Sequence, residues 1–122
     1  MEKLPKISES EWEVMKVIWS EHPITSGKVV KSLEDSTSWK PRTIKTLLNR
    51  LVDKGAVGRE GKGKDYYYFP LIEKAVLVKA ESQSFLKRVF GGSLKPMIAT
   101  MVETEDLSQE DIEEIKRLFE DI

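Results

Sequence analysis

Apolar residues recur along this chain at two different periods, and the places where the period changes divide it into elements. From residue 7 the spacing is helical: Trp12, Met15, Ile18 and Trp19 repeat at close to one turn. Ser8 and Glu11 have the form of a capping box, and Ile7 with Trp12 that of a hydrophobic staple around it. This helix stops near His22-Pro23. Ile24 and Val29 repeat the staple spacing around Thr25, opening a second helix that runs through Val30 and Leu33 to Glu34-Asp35. Ser36-Thr37-Ser38 reads as the next loop. Pro41 suits the first turn of a third helix, where its missing N–H is no loss. Ile44, Leu47, Leu48, Leu51 and Val52 form a full amphipathic stripe along it, and Gly55 is a natural C-terminal cap.

The period then shortens. Residues 56–60 and 65–69 read as two short strands joined by a turn at Gly61-Lys62-Gly63-Lys64, with Tyr66, Tyr67, Tyr68 and Phe69 favouring a half-buried strand that Pro70 ends. Beyond it the pattern is helical again. A fourth helix from about 73 to 90 carries Val76, Phe85, Leu86, Val89 and Phe90 before Gly91-Gly92. A fifth carries Leu94, Met97, Ile98, Met101 and Val102, with Pro96 in its first turn. A sixth is capped by Ser108 with Asp111, stapled by Leu107 and Ile112, and lined by Ile112, Ile115, Leu118, Phe119 and Ile122. The expected fold is mainly α with a small β-hairpin: a winged helix-turn-helix over residues 1–72, followed by a three-helix segment over 73–122. No solenoid repeat and no low-complexity tract interrupts it.

Charge sharpens this division. The chain of 122 residues has 20 basic and 21 acidic side chains, a net charge of −1. Residues 1–70 hold 13 basic against 10 acidic, whereas 71–122 hold 7 against 11. Lys40, Arg42, Lys45, Arg50, Lys54, Arg59, Lys62 and Lys64 are opposed only by Asp53 and Glu60 in their stretch, an excess that calls for an anionic partner. There is no cysteine, which excludes a disulfide framework, a thiolate zinc site and a cysteine nucleophile. No apolar run is long enough to span a membrane, and residues 1–5 lack the apolar core of a signal peptide, so a cytoplasmic protein without membrane insertion is expected.

The third helix carries the candidate chemistry. At about 100° per residue, Arg42, Thr46, Asn49 and Asp53 point away from the apolar stripe, with Thr43, Lys45 and Arg50 on its shoulders. Arg42 and Lys45 suit guanine O6 and N7, Asn49 suits adenine, and Thr43 and Thr46 offer hydroxyls and methyls to bases or phosphates. Lys62 and Lys64, on a turn, suit phosphates. Of the three tyrosines, alternate rings are expected to pack beneath the hairpin while the outward one, Tyr67, meets sugar-phosphate; the alternative is a stacking platform for single-stranded bases. Basic side chains on a helix are most often mere solvated surface, but a cluster on one helix and its adjoining hairpin fits double-stranded DNA. A winged-helix protein-interaction module is the rival from another class.

Catalytic readings are weaker. His22 has neither a second histidine nor a cysteine to share a metal. Residues 58–64 superficially resemble a phosphate-binding loop, but they lack the hydroxyl residue after the lysine and open no helix. Glu110, Asp111, Glu113 and Glu114 read as the solvated side of the sixth helix. No enzyme activity and no cofactor is expected. The apolar positions Phe85, Leu86, Val89, Leu94, Met97, Ile98, Met101, Val102, Ile112, Ile115, Leu118 and Phe119 exceed what so short a helical segment buries by itself. A homodimer would use them, and would set two recognition helices about 34 Å apart on a palindromic site.

Residues 7–19, ISESEWEVMKVIW, resemble the opening helix of the penicillinase repressors, the BlaI/MecI family. Residues 39–51, WKPRTIKTLLNRL, with Lys54-Gly55, look like its recognition helix, and residues 105–114, EDLSQEDIEE, are similar to the start of its last helix. The resemblance covers essentially the whole chain. It implies a homodimeric winged-helix repressor on palindromic operator DNA, controlling β-lactamase or related antibiotic-resistance genes. It also implies a membrane-bound sensor protease whose signal leads to cleavage of the repressor in its fifth helix, usually at an Asn-Phe bond. The matching bond here is Thr100-Met101, a departure from the pattern that leaves open a repressor of the same fold with other target genes and another release signal. The absence of cysteine argues against the family's copper-sensing branch.

Overall fold

The computed structural model describes residues 4–62 and 66–121. The chain divides into two compact units, Met1–Ala80 and Glu81–Ile122. The first contains α1 (Glu9–Ser20), β1 (Ile24–Thr25), α2 (Ser26–Glu34), α3 (Pro41–Asp53), β2 (Val57–Glu60) and β3 (Tyr67–Pro70). Helix α4 (Lys74–Phe90) begins in the first unit and ends in the second, where α5 (Leu94–Thr104) and α6 (Gln109–Glu120) follow.

Local signals set most boundaries. At the start of α1 the Ser8 amide donates to Glu11 Oε1 at 2.8 Å while the Glu11 amide donates to Ser8 Oγ at 3.2 Å, so both donors of the capping box are satisfied. Thr25 caps α2 by accepting from the Lys28 amide. Helix α3 starts on Pro41 and ends in a Schellman motif. There Gly55 takes φ 78°, a left-handed conformation that costs a Cβ-bearing residue about 1–2 kcal/mol. The Gly55 amide then reaches Val52 O and the Ala56 amide reaches Leu51 O, each at 3.0 Å. Ser108 and Asp111 repeat the capping box at α6.

The sheet has three antiparallel strands in the order β1-β3-β2, with Ile24 opposite Tyr68 on one side and Arg59 opposite Tyr68 on the other. Two details differ from the sequence expectation. Strand β1 is absent from the periodicity, because two residues are too few to show a period and only pairing with β3 makes them a strand. Pro70 closes β3 from within, opposite Val57, at a position where its missing N–H is tolerated. Residues 63–65, the second half of the expected turn and the first residue of the expected second strand, lie outside the described residues.

One core serves the first unit. Val14, Met15 and Ile18 of α1 pack with Val29 and Leu33 of α2, with Ile44, Leu48 and Leu51 of α3, and with Val57 and Tyr68 of the sheet. The rings of Trp12 and Trp19 lie 5.5 Å apart against this cluster, and Trp19 Nε1 donates to Ile72 O at 3.0 Å. Trp39 packs half-buried just before α3. Leu77 is also in the core. The first turn of α4 therefore belongs with the first unit, and the division falls within α4, further along than the expected boundary at residue 72. In the second unit no described residue is buried.

Candidate nucleic-acid interface

Burying Ile44, Leu47, Leu48 and Leu51 fixes the rotation of α3, and every candidate residue on the helix is thereby exposed: Arg42, Thr43, Lys45, Thr46, Asn49 and Arg50. Thr46 Oγ1 donates to Arg42 O at 2.9 Å, so its hydroxyl proton is committed to the helix while its two oxygen lone pairs are left as acceptors. The tyrosines separate by strand alternation. Tyr68 is 5% exposed and belongs to the core, whereas its neighbour Tyr67 is 46% exposed. Lys62 is exposed on the turn after β2, and Lys64 lies outside the described residues.

One of the eight clustered cations has a different role. Lys54 Nζ donates to Glu11 Oε1 at 2.5 Å and to Lys6 O at 2.7 Å, joining the C-terminal end of α3 to the start of α1. The Glu11 side chain is 1% exposed. Burial pushes its carboxyl upward, but the Lys54 ammonium and the Ser8 amide and hydroxyl outweigh that and hold it below the usual carboxylate range. Lys54 thus braces the scaffold, and the expected convergence of eight charges is corrected to a smaller set. Glu11 was legible as a capping residue, but its ion pair spans 43 positions and has no local signal.

The structure adds residues that the pattern along α3 does not single out. Lys45 and Asn49 share an open recess of about 530 Å³ with Ser26 of α2, Arg59 of β2, Leu48, Tyr66 and Tyr68. The Arg59 guanidinium carbon stands 4.8 Å from the centre of the Tyr66 ring. The signal available in the sequence was an arginine and an aromatic at diagonal positions across a hairpin, which are within reach of one another. Among the described residues no group of three or more His, Cys, Asp and Glu side chains is placed to hold a metal ion, and no helix is long and apolar enough to cross a membrane.

The second unit holds the other candidate set. Met97, Ile98, Met101 and Val102 of α5 line an open groove of about 260 Å³ with Leu107 and with Ile115, Leu118 and Phe119 of α6. Val89 and Leu94 are exposed, while Phe85, Leu86 and Ile112 are intermediate. Phe85 packs edge-on to Phe90 within α4. The Thr100-Met101 bond is interior to α5, where Thr100 Oγ1 donates to Pro96 O at 2.9 Å.

Three helices, a three-stranded sheet and a basic, polar third helix beside a hairpin define a winged-helix DNA-binding protein. The sequence model of the family described as Penicillinase repressor matches residues 7–121, and this chain belongs to that family of DNA-binding transcriptional repressors. It is 39% identical over 121 residues to the Penicillinase repressor of Bacillus licheniformis, covering 99% of this chain and 94% of that one. It is 34% identical over 117 residues to the Methicillin resistance regulatory protein MecI of Mammaliicoccus sciuri, covering 96% of this chain and 95% of that one. Among solved structures, the monomeric form of Bacillus licheniformis BlaI bound to the blaP half-operator aligns with TM-score 0.54 at 43% identity, over 62% of this chain and 92% of that one.

Proposed function

We propose that this chain represses transcription as a two-fold homodimer on a palindromic operator, occupying a promoter and so excluding polymerase. The observation that carries the reading is the outer face of α3, where Arg42, Thr43, Lys45, Thr46, Asn49 and Arg50 are all exposed beside a hairpin bearing Lys62 and Tyr67. In this arrangement Arg42, Lys45 and Asn49 read base edges in the major groove, and Thr46 presents its methyl to thymine. Arg50, Lys62, Lys64 and Tyr67 hold the sugar-phosphate backbone and carry little sequence information. That a relative binds a half-operator as a monomer supports two half-sites, each read by one chain.

The apolar groove of α5 and α6, with the exposed side of α4, supplies the dimer contact in this reading. The relatives' names, penicillinase repressor and methicillin resistance regulatory protein, support β-lactam-resistance genes as the targets. Release by a sensor protease would cut Thr100-Met101, and because that bond is helical, α5 must open locally before a protease can take it as an extended strand. Fragment masses after incubation with an activated sensor protease test this step; a chain that stays intact points to another release signal.

Footprinting on the DNA flanking the chain's own gene, repeated across salt, tests the main reading. With about 4–6 phosphate contacts per subunit, affinity should fall by roughly 0.9 log unit per contact for each log unit of salt. A protected palindrome with that dependence supports the reading. Absence of protection, or binding indifferent to salt, would place the fold among protein-interaction modules instead.

A further inference from the structure

The recess beside α3 contains a cation that is already held in place before any ligand arrives. Arg59 is exposed on β2, yet its guanidinium lies 4.8 Å from the centre of the Tyr66 ring, close enough for a cation–π contact. Lys45 and Asn49 stand across the same recess on α3, and Ser26 borders it from the first turn of α2. Two cations thus face one open concavity of about 530 Å³ from two different elements. Among the described residues neither is in a salt bridge. By contrast, Lys54 is bound to Glu11 and therefore unavailable.

An arginine side chain loses substantial rotamer entropy when it is immobilised on a ligand, and an aromatic face that restrains it beforehand removes part of that cost. The guanidinium also matches a phosphate oxygen pair by its planar fork of donors.

We infer that the recess between α3 and the β2–β3 hairpin seats one phosphodiester of a DNA strand, with Arg59 as the donor from the hairpin side. Tyr66 is a positioning residue that acts through Arg59. The inference rests on the DNA-binding reading above and extends it from the turn lysines to a pair on the body of the hairpin.

The test uses the full chain and a mixed-sequence duplex of about thirty base pairs, because a phosphate contact does not depend on sequence. Affinity is measured by fluorescence anisotropy across salt for the wild type, Arg59→Ala, Tyr66→Phe, Tyr66→Leu and the double variant Arg59→Ala/Tyr66→Leu. Arg59→Ala should reduce the slope of log affinity against log salt by about 1 per subunit bound. Tyr66→Phe keeps the ring and should bind like the wild type, whereas Tyr66→Leu should bind several-fold more weakly. In the Arg59→Ala background Tyr66→Leu should add nothing, which a merely structural role for the ring would not produce. Circular dichroism confirms that each variant is folded, and if Tyr66→Leu does not fold, the slope of Arg59→Ala decides alone. A wild-type slope in Arg59→Ala overturns the inference while DNA binding stands. A wild type that does not bind the duplex at low salt overturns both.

Discussion

The Glu11–Lys54 pair makes a prediction whose sign as well as size can be checked. Glu11 is 1% exposed and serves two partners at once, the Ser8 amide at 2.8 Å and the Lys54 ammonium at 2.5 Å. Replacing it by alanine removes the reach-back half of the capping box, worth about 1 kcal/mol, and a charge-assisted hydrogen bond worth about 1.5–3 kcal/mol. Lys54 remains 34% exposed on its own side, so water recovers part of the second loss. A net cost of about 2–3 kcal/mol follows, which for a domain this small lowers Tm by roughly 10–20 °C. The pH dependence is more diagnostic. The folded carboxyl titrates below its ordinary value, so its stabilisation is complete above the unfolded pKa, near 4.5, and is lost as pH falls through the folded value. Lys54→Met keeps the aliphatic stem but leaves burial opposed only by Ser8, so the folded pKa rises and this acid-side loss shrinks or reverses. Urea unfolding followed by circular dichroism between pH 3 and 7 compares the two chains. Equal acid slopes in wild type and Lys54→Met, or a Glu11→Ala cost below about 0.5 kcal/mol, would refute the argument.

Three further outcomes are expected. Arg42→Ala and Lys45→Ala should relax sequence preference at about 1–3 kcal/mol per lost base contact, while Lys62→Ala weakens all sequences alike; competition binding with single-base operator variants separates them. Gly58→Ala should cost about 1–3 kcal/mol in urea unfolding. A Cβ at Gly58 would stand 2.6 Å from the Phe69 ring, and Phe69→Leu in the same chain should recover part of the loss. Leu118→Asp, at a position 67% exposed in the single chain, should leave the circular dichroism of the fold unchanged yet forfeit roughly 1.5–3 kcal/mol of apolar burial between copies, shifting sedimentation toward the monomer. An unaltered sedimentation coefficient would remove the α5–α6 groove from the dimer contact.

What the sequence shows and what it hides follow from the range of the interactions. Ser8 with Glu11, Thr25, Pro41, Gly55 and Ser108 with Asp111 act within four residues, so the starts of α1, α2, α3 and α6 and the end of α3 could be read locally. The stripe Ile44-Leu47-Leu48-Leu51 fixed which side of α3 is buried and therefore which candidates face outward. Strand β1 was invisible because its cause, pairing of Ile24 and Thr25 with Tyr68 and Tyr67, lies far along the chain. The same range hid the partner of Lys54, whereas the ring beside Arg59 is close along the chain and follows once the hairpin register is known. Charge counting along the sequence treats all three cations alike, whereas only the folded chain shows that one is consumed by the scaffold, one is restrained beside a recess and one, Lys62, is exposed on a turn.

The two units are stabilised by different means, and this bears on how such a repressor is turned off. The first unit has a core with Val14, Met15, Ile18, Val29, Ile44 and Leu51 at full burial, so the outer face of α3 is set by packing inside one chain. The second has one capping box, at α6, and side-chain-to-backbone bonds such as Thr104 Oγ1 donating to Thr100 O at 3.1 Å, but no buried side chain among its described residues. Helices this short are marginal without tertiary packing. In the dimer reading the packing comes from a second copy, so association and local order in α5 are coupled, and any event that opens α5 also weakens the dimer. A cut or a competing ligand there would then lower operator affinity without touching α3, because each separated chain keeps its reading surface and loses only the advantage of binding two half-sites together.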